Sequence, residues 1–212
     1  MNDNVHLRLP SHASGPAPEA VGMAVILIHG RTQSPADMFT IVERIDLPDM
    51  PYIAIEAAGN SWYPDKFMAP LQNNQPHLDF ALERLDALVV ELEERGIPRE
   101  RIVLLGFSQG ACLACEYLYR HPRRWGGLIA FTGGLIGPPE TQWPVHGNPL
   151  ADVPVLISNG DTDPWVPLPR SRETADVFRL MGARVTEHVY PHREHCVIDD
   201  EIVQARALLP RP

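Results

Sequence analysis

The stretch Gly106-Phe107-Ser108-Gln109-Gly110 restricts what this chain can fold into more than any other part of it. An apolar run, Ile102-Val103-Leu104-Leu105, precedes it, and residues 111–118 after it read as helix. A serine at the tip of a sharp turn between strand and helix is the setting of a nucleophile elbow. So tight a turn holds its serine in a sparsely populated backbone region, and glycines on either side let strand and helix approach closely. The pentapeptide alone also fits a plain glycine-rich strand-to-helix connection, so the remaining residues decide between the two.

Those residues alternate between strand and helix patterns. Residues 23–28, Met-Ala-Val-Ile-Leu-Ile, form a continuous apolar run suited to a strand covered on both faces. Ser34-Pro35-Ala36-Asp37 then offers an N-cap, a proline for the first helical position and an acidic first turn, predicting a helix to about Ile45. Residues 52–55 predict a short strand. Leucines and valines recur at three- and four-residue steps through the helix expected over 76–95, which Gly96 stops. Beyond the elbow helix, strands are expected over 127–132, 153–158 and 184–190, with helices over 168–181 and 198–209. Two connections, 57–76 and 133–152, show no sustained period and are rich in proline. The first carries Trp62, Tyr63, Phe67 and Met68, which suits a packed loop, and the second holds Trp143. This order predicts one α/β domain with a mostly parallel sheet and helices on both faces. Residues 1–20 are expected to form an arm or edge strand, with the catalytic domain over 21–212. No stretch is long enough for a separate cap domain.

Composition narrows the partners. The net charge of −9 disfavours nucleic acid and anionic membrane surfaces. No apolar run reaches membrane-spanning length, so no stable membrane anchoring is expected, and the first eight residues lack the pattern of a signal peptide. Three cysteines, Cys112, Cys115 and Cys196, make no disulfide framework. Cys112 and Cys115 have C-x-x-C spacing but lie in the elbow helix and read as buried thiols rather than metal ligands. A cytoplasmic location is expected, and a homodimer is possible.

A serine hydroxyl becomes a useful nucleophile when a base takes its proton and a third group orients that base. In open parallel sheets these partners sit in loops at the carboxyl ends of strands, here in the order serine, acid, histidine. Asp161 and Asp163 follow the strand over 153–158, and His192 and His195 follow the strand over 184–190. Asp161, in the run Asn159-Gly160-Asp161, looks like a turn former that caps its own backbone. A metal site from His188, His192 and His195 lacks an evident carboxylate donor and helical frame, so no metal or other cofactor is expected.

Leu27-Ile28-His29-Gly30, Phe107-Ser108-Gln109 within the elbow, Gly160-Asp161-Thr162-Asp163-Pro164-Trp165-Val166-Pro167, and Tyr190-Pro191 with His195 together resemble the phospholipase/carboxylesterase family of α/β-hydrolases, the small esterases that include the acyl-protein thioesterases. The resemblance runs from Met23 to Leu209. It implies the α/β-hydrolase fold and a Ser108–Asp163–His195 triad. One oxyanion-hole donor is the backbone N–H after the nucleophile, on Gln109; the resemblance supplies the second on Arg31. The chain departs from the family at Arg31 and Thr32, where leucine and glycine are frequent, and at Ala111, Asn159 and His192. The Arg31 side chain is expected either in solvent or as a positive charge at the site rim. Trp62, Tyr63, Phe67 and Trp165, with Met68 and Trp143, are candidates for the acyl pocket or for plain loop packing. The implied activity is hydrolysis of short- to medium-chain acyl esters or thioesters, small-molecule substrates, through an acyl-enzyme. Acyl transfer, lysophospholipid hydrolysis and a non-catalytic binding role on the same fold are the alternatives.

Overall fold

Residues whose side chains point alternately to two packed layers have no need of polar alternation, and the central strands of this chain carry none. In the computed structural model, which describes residues 3–210, all five residues of the strand Ala24–Ile28 are buried. The two terminal residues at each end, part of the expected arm and of the expected catalytic domain, lie outside the described residues. The strands are β1 (Ser11–Ser14), β2 (Ala24–Ile28), β3 (Tyr52–Ile55), β4 (Ile102–Phe107), β5 (Gly127–Phe131), β6 (Pro154–Gly160) and β7 (Arg184–Tyr190). They form one sheet in the order β1-β3-β2-β4-β5-β6-β7, parallel throughout except for β1, which pairs antiparallel with β3 at the edge.

The helices are α1 (Pro18–Val21), α2 (Pro35–Ile45), α3 (His77–Glu94), α4 (Gln109–Arg120), α5 (Leu168–Leu180) and α6 (Asp199–Leu208). Ile26, Ile28 and Leu104 turn toward α3, α4 and α5, where they join Leu78, Leu82, Leu85, Val89 and Leu92 of α3. Val25, Leu27, Val103 and Leu105 turn the other way, toward Met38, Ile41 and Ile45 of α2 and Ile202 and Ala205 of α6. Each leucine or isoleucine so buried contributes about 1.5–3 kcal/mol relative to exposure, and the period-two split is what sandwiches the sheet between the two layers.

The chain leaves β2 for β3 on one side and then crosses back to β4 on the other. A crevice opens at such a reversal, beyond the carboxyl ends of the strands. The loops after β2 and β4 flank it, and those after β6 and β7 approach from one side.

One strand boundary differs from the sequence expectation. β6 continues to Gly160, two residues past its expected end, because β7 pairs with it through Gly160 opposite Tyr190. Asn159 is therefore a buried strand residue, donating to the Val166 carbonyl and the Ser171 hydroxyl at 2.9 Å each. The connection over 57–76 is irregular but packed, with 3-10 turns at Ala58–Asn60 and Leu71–Asn74 and with Trp62, Tyr63 and Phe67 buried. Among the described residues, no helix is long and apolar enough to cross a membrane.

Candidate active site

Ser108 stands alone between the last residue of β4 and the first of α4, at φ 55° and ψ −119°. A non-glycine residue there stores about 1–3 kcal/mol of strain. Two hydrogen bonds hold it: its N–H donates to the Phe131 carbonyl at 3.0 Å, and its carbonyl accepts the Cys112 N–H at 2.9 Å. The flanking glycines are required by space. A Cβ on Gly110 would lie 2.0 Å from the Ile28 carbonyl oxygen, and one on Gly106 would lie 2.5 Å from the Gly110 carbonyl oxygen.

The loops after β6 and β7 bring an acid and a histidine to this serine. His195 Nε2 lies 2.7 Å from Ser108 Oγ, and His195 Nδ1 lies 2.7 Å from Asp163 Oδ2. Asp163 Oδ1 accepts the N–H groups of Trp165 and Val166 at 2.8 and 2.9 Å. Burial alone would raise the Asp163 carboxyl, yet the hydrogen bonds from His195, Val166 and Trp165 outweigh it and hold the group below its ordinary value. An ionised Asp163 fixes the proton of His195 on Nδ1, which leaves the Nε2 lone pair facing the serine hydroxyl. The imidazole also packs against Phe107, with ring centroids 5.1 Å apart.

Asp161 has a different use from the expected one. It does not cap its own turn; Oδ1 accepts the His192 N–H at 2.7 Å and so ties the loop after β6 to the loop after β7. His188 lies on β7 and stacks with Tyr190. No group of three or more His, Cys, Asp or Glu among the described residues is placed to hold a metal ion.

The histidine loop has a second anchor that sequence reading missed. Arg193, two residues before His195, is buried and donates to Thr132 Oγ1 at 2.8 Å and to the Cys196 carbonyl. Its guanidinium lies 3.5 Å from the carboxylate of Glu201, which has no exposed surface. Glu201 also accepts the Ser158 hydroxyl at 2.5 Å and the Ile198 N–H at 2.8 Å. Burial raises its carboxyl above the ordinary range, against the pull of those donors. β6, the histidine loop and the start of α6 are thus joined at one buried ion pair. Glu201→Ala leaves Arg193 without its counter-charge and is expected to cost roughly 3–5 kcal/mol, a fall in Tm of about 6–20 °C by calorimetry. A Tm equal to wild type would show that the pair contributes nothing.

Two residues whose backbone N–H groups lack a partner among the described residues, Gln109 and Arg31, line the same cleft as Ser108. The Gln109 N–H is the first of α4, without an intrahelical partner and at the positive end of the helix dipole. The Arg31 N–H lies in the loop after β2 and makes no hydrogen bond among the described residues. That loop is braced by Gln33 Oε1, which accepts the Gly30 N–H at 2.9 Å, and by Thr32 at φ 66°, whose N–H donates to Asn60. His29 is structural. Its Nδ1 is 2.7 Å from the Gly30 carbonyl and its Nε2 accepts the Ala57 N–H, while burial pushes its pKa down and keeps it neutral.

The side chains of both donor residues clamp the loop over 57–76. Gln109 accepts the Trp62 N–H at 2.9 Å and donates to the Tyr63 carbonyl at 2.8 Å. Arg31 is exposed at the cleft rim, and its guanidinium is also held there, donating to the carbonyls of Tyr63, Pro64 and Asp65 at 2.9, 2.6 and 2.5 Å. The elbow and the loop after β2 therefore hold the pocket wall directly.

That wall encloses a cleft of about 780 Å³ that opens over Ser108 and His195. Tyr63, Phe67, Met68 and Val166 line it, Trp165 stands at its mouth with 65% of its surface exposed, and Cys112 adds a lining group that had been read only as a buried thiol. Trp62 is a correction. It has no exposed surface, packs its ring against His29 and His6, and donates its indole N–H to the His29 carbonyl at 2.8 Å, so it lies behind the wall. Trp143 is another. It stacks under the Arg170 guanidinium, 4.7 Å from its ring centroid, away from the cleft lining. A hydroxyl beside a base and a base beside an acid can add to an acyl carbonyl, and unpaired N–H groups in the same cleft suit the negative oxygen that results.

A model of the phospholipase/carboxylesterase family matches residues 16–209 of the chain. The crystal structure of a phospholipase/carboxylesterase from Dyadobacter fermentans superposes with a TM-score of 0.89 at 41% identity, covering 95% of this chain and 97% of that one. Among curated relatives, acyl-protein thioesterase 1 of Debaryomyces hansenii is 24% identical, covering 86% of this chain and 88% of its own. Acyl-protein thioesterase 1 homolog 1 of Dictyostelium discoideum is 31% identical over 66% of this chain and 68% of its own.

Proposed function

The chain belongs to the phospholipase/carboxylesterase family of serine hydrolases, and from that premise we propose that it hydrolyses short- to medium-chain acyl esters and thioesters through an acyl-enzyme on Ser108. The observation that carries this reading is the continuous chain of contacts from Ser108 Oγ through His195 to Asp163, each link 2.7 Å. Ser108 attacks the acyl carbonyl while its proton passes to His195 Nε2. Asp163 stays ionised and holds the imidazolium through Nδ1–H. The Gln109 and Arg31 N–H groups receive the oxyanion, each worth about 10²–10³ in rate. His195 then protonates the leaving oxygen or sulfur, and water activated by the same histidine releases the acid.

Two features favour hydrolysis over acyl transfer and small acyl groups over long ones. The His195 side chain is 19% exposed, so water reaches the base directly. The cleft wall is braced over residues 62–65 by Arg31 and Gln109, and among the described residues no separate cap domain lies over it. The test is a panel of p-nitrophenyl esters and matched acyl thioesters from acetyl to palmitoyl. Turnover is expected to peak between butyryl and octanoyl and to fall steeply beyond. A maximum at palmitoyl would contradict the chain-length reading, and no turnover of any ester or thioester would contradict the activity.

A further inference from the structure

Proton transfer from Ser108 needs His195 Nε2 held at its 2.7 Å contact, yet the sheet alone does not set that distance. Ser108 follows β4 and the histidine loop follows β7, with β5 and β6 between them. At about 4.8 Å per strand the two loops start about 14 Å apart. The histidine loop therefore crosses the ends of two strands to reach the serine. Asp163, in the loop after β6, holds the imidazole itself but does not tie its loop to the elbow.

Arg193 makes that tie. Its backbone is seated on the end of β6, where a Cβ on Gly160 would lie 2.2 Å from the Arg193 carbonyl oxygen. Its guanidinium donates forward to the Cys196 carbonyl, so the two contacts bracket His195 in the chain. The same guanidinium donates to Thr132 Oγ1 at 2.8 Å. Thr132 follows the last residue of β5, has no exposed surface and stands at φ 55°. Its N–H donates to the Ser158 carbonyl at 2.8 Å, and its neighbour Phe131 accepts the Ser108 N–H at 3.0 Å. Glu201 faces the guanidinium and accepts the Ser158 hydroxyl, which fixes the cation in place. Base and nucleophile are thus joined by a second route, from Ser108 through Phe131, Thr132 and Arg193 to the residues on either side of His195. A guanidinium suits this task because its planar fork presents donors at fixed angles to two acceptors at once. Neither Arg193 nor Thr132 is among the residues that line the cleft.

We propose that Arg193 is a positioning residue for catalysis: by tying the histidine loop to Thr132, it sets the approach of the His195 imidazole to the Ser108 hydroxyl. This rests on the assignment of Ser108 as nucleophile and His195 as base. A displacement of about 1 Å is enough to cost about 10²-fold in rate. Loss of the tie is therefore read in kcat, whereas a pair that serves only the fold is read in Tm.

The test is Thr132→Val, which keeps the branched shape and removes the acceptor, beside Thr132→Ser, which restores a hydroxyl. With p-nitrophenyl butyrate, at a temperature where every variant is folded, Thr132→Val is expected to lower kcat about 10–100-fold with little change in KM. Thr132→Ser is expected to recover most of that loss. Arg193→Lys keeps the charge facing Glu201 but lacks the fork, so the same fall in kcat is expected, and it carries the test if Thr132→Val does not fold. The rate at which a fluorophosphonate labels Ser108 is expected to fall in parallel, because it depends on the serine and its base and needs no acyl substrate. A lowered Tm with kcat and labelling rate unchanged would assign the tie to stability and overturn the proposal. Equal losses in Thr132→Val and Thr132→Ser would overturn it too. If the wild type labels at Ser108 but cleaves no ester, the esterase reading fails and the labelling rates of the same variants decide the positioning role. A wild type that neither labels nor cleaves would overturn both.

Discussion

Ser108→Ala is expected to lower turnover of a p-nitrophenyl ester by roughly 10⁴–10⁶ while leaving the folded protein intact. The hydroxyl bonds to His195, whereas the backbone bonds that hold the elbow, to Phe131 and from Cys112, are untouched. Alanine carries the same Cβ into the same strained backbone, so the Tm is expected to stay within a few degrees of wild type. The thiol in the cleft lining, on Cys112, is pushed up to about 12 by burial. Activity retained in Ser108→Ala therefore has no ready substitute to explain it and would remove the serine mechanism.

Asp163→Asn is expected to lower kcat by about 10⁴, and the local geometry says why. The Trp165 and Val166 N–H groups both donate to Asp163 Oδ1. An asparagine must keep its carbonyl oxygen there, which turns its NH₂ toward His195 Nδ1. Nδ1 then has to accept rather than donate, the proton moves to Nε2, and the base can no longer take the serine proton. The same substitution has a signature in stability. The folded-state carboxyl lies below its ordinary value of 3.8, so ionised Asp163 stabilises the fold at pH values above that, and the contribution is lost as pH falls through the depressed value. The difference in Tm between wild type and Asp163→Asn is expected to be full near neutrality and to shrink on acidification below about pH 4. A difference independent of pH would mean that the charge is not what the loop holds.

Much of the fold could be read from the chain because its physics is local or periodic. The uninterrupted apolar runs of β2 and β4, the leucine spacing of α3 and the serine–proline start of α2 each announce an element through its own residues. The elbow was legible because its glycines have a steric job, visible in the 2.0 Å approach a Cβ on Gly110 would make to Ile28. What escaped sequence reading involves polar contacts between separate elements. The clamps from Gln109 and Arg31 to the loop over 57–76, and the ion pair of Arg193 with Glu201, leave no period and no motif. The tryptophans show the same limit. Aromatic residues in an irregular loop can face a cleft or fill the space behind it, and only the folded path separates Trp165 at the mouth from Trp62 behind the wall. The run Asn-Gly-Asp is turn chemistry and sets the expected strand end at residue 158, yet pairing with β7 keeps Asn159 and Gly160 in the sheet.

The central claim is that Ser108 carries the acyl group, and covalent capture addresses it most directly. Treating the wild-type protein with a fluorophosphonate, digesting with trypsin and mapping the added mass is expected to place one adduct on the peptide 102–120, whose only serine is Ser108. His195→Ala is expected to slow that labelling by several orders of magnitude. An adduct on any other residue, or a peptide 102–120 left unmodified while ester turnover is abolished, would contradict the assignment.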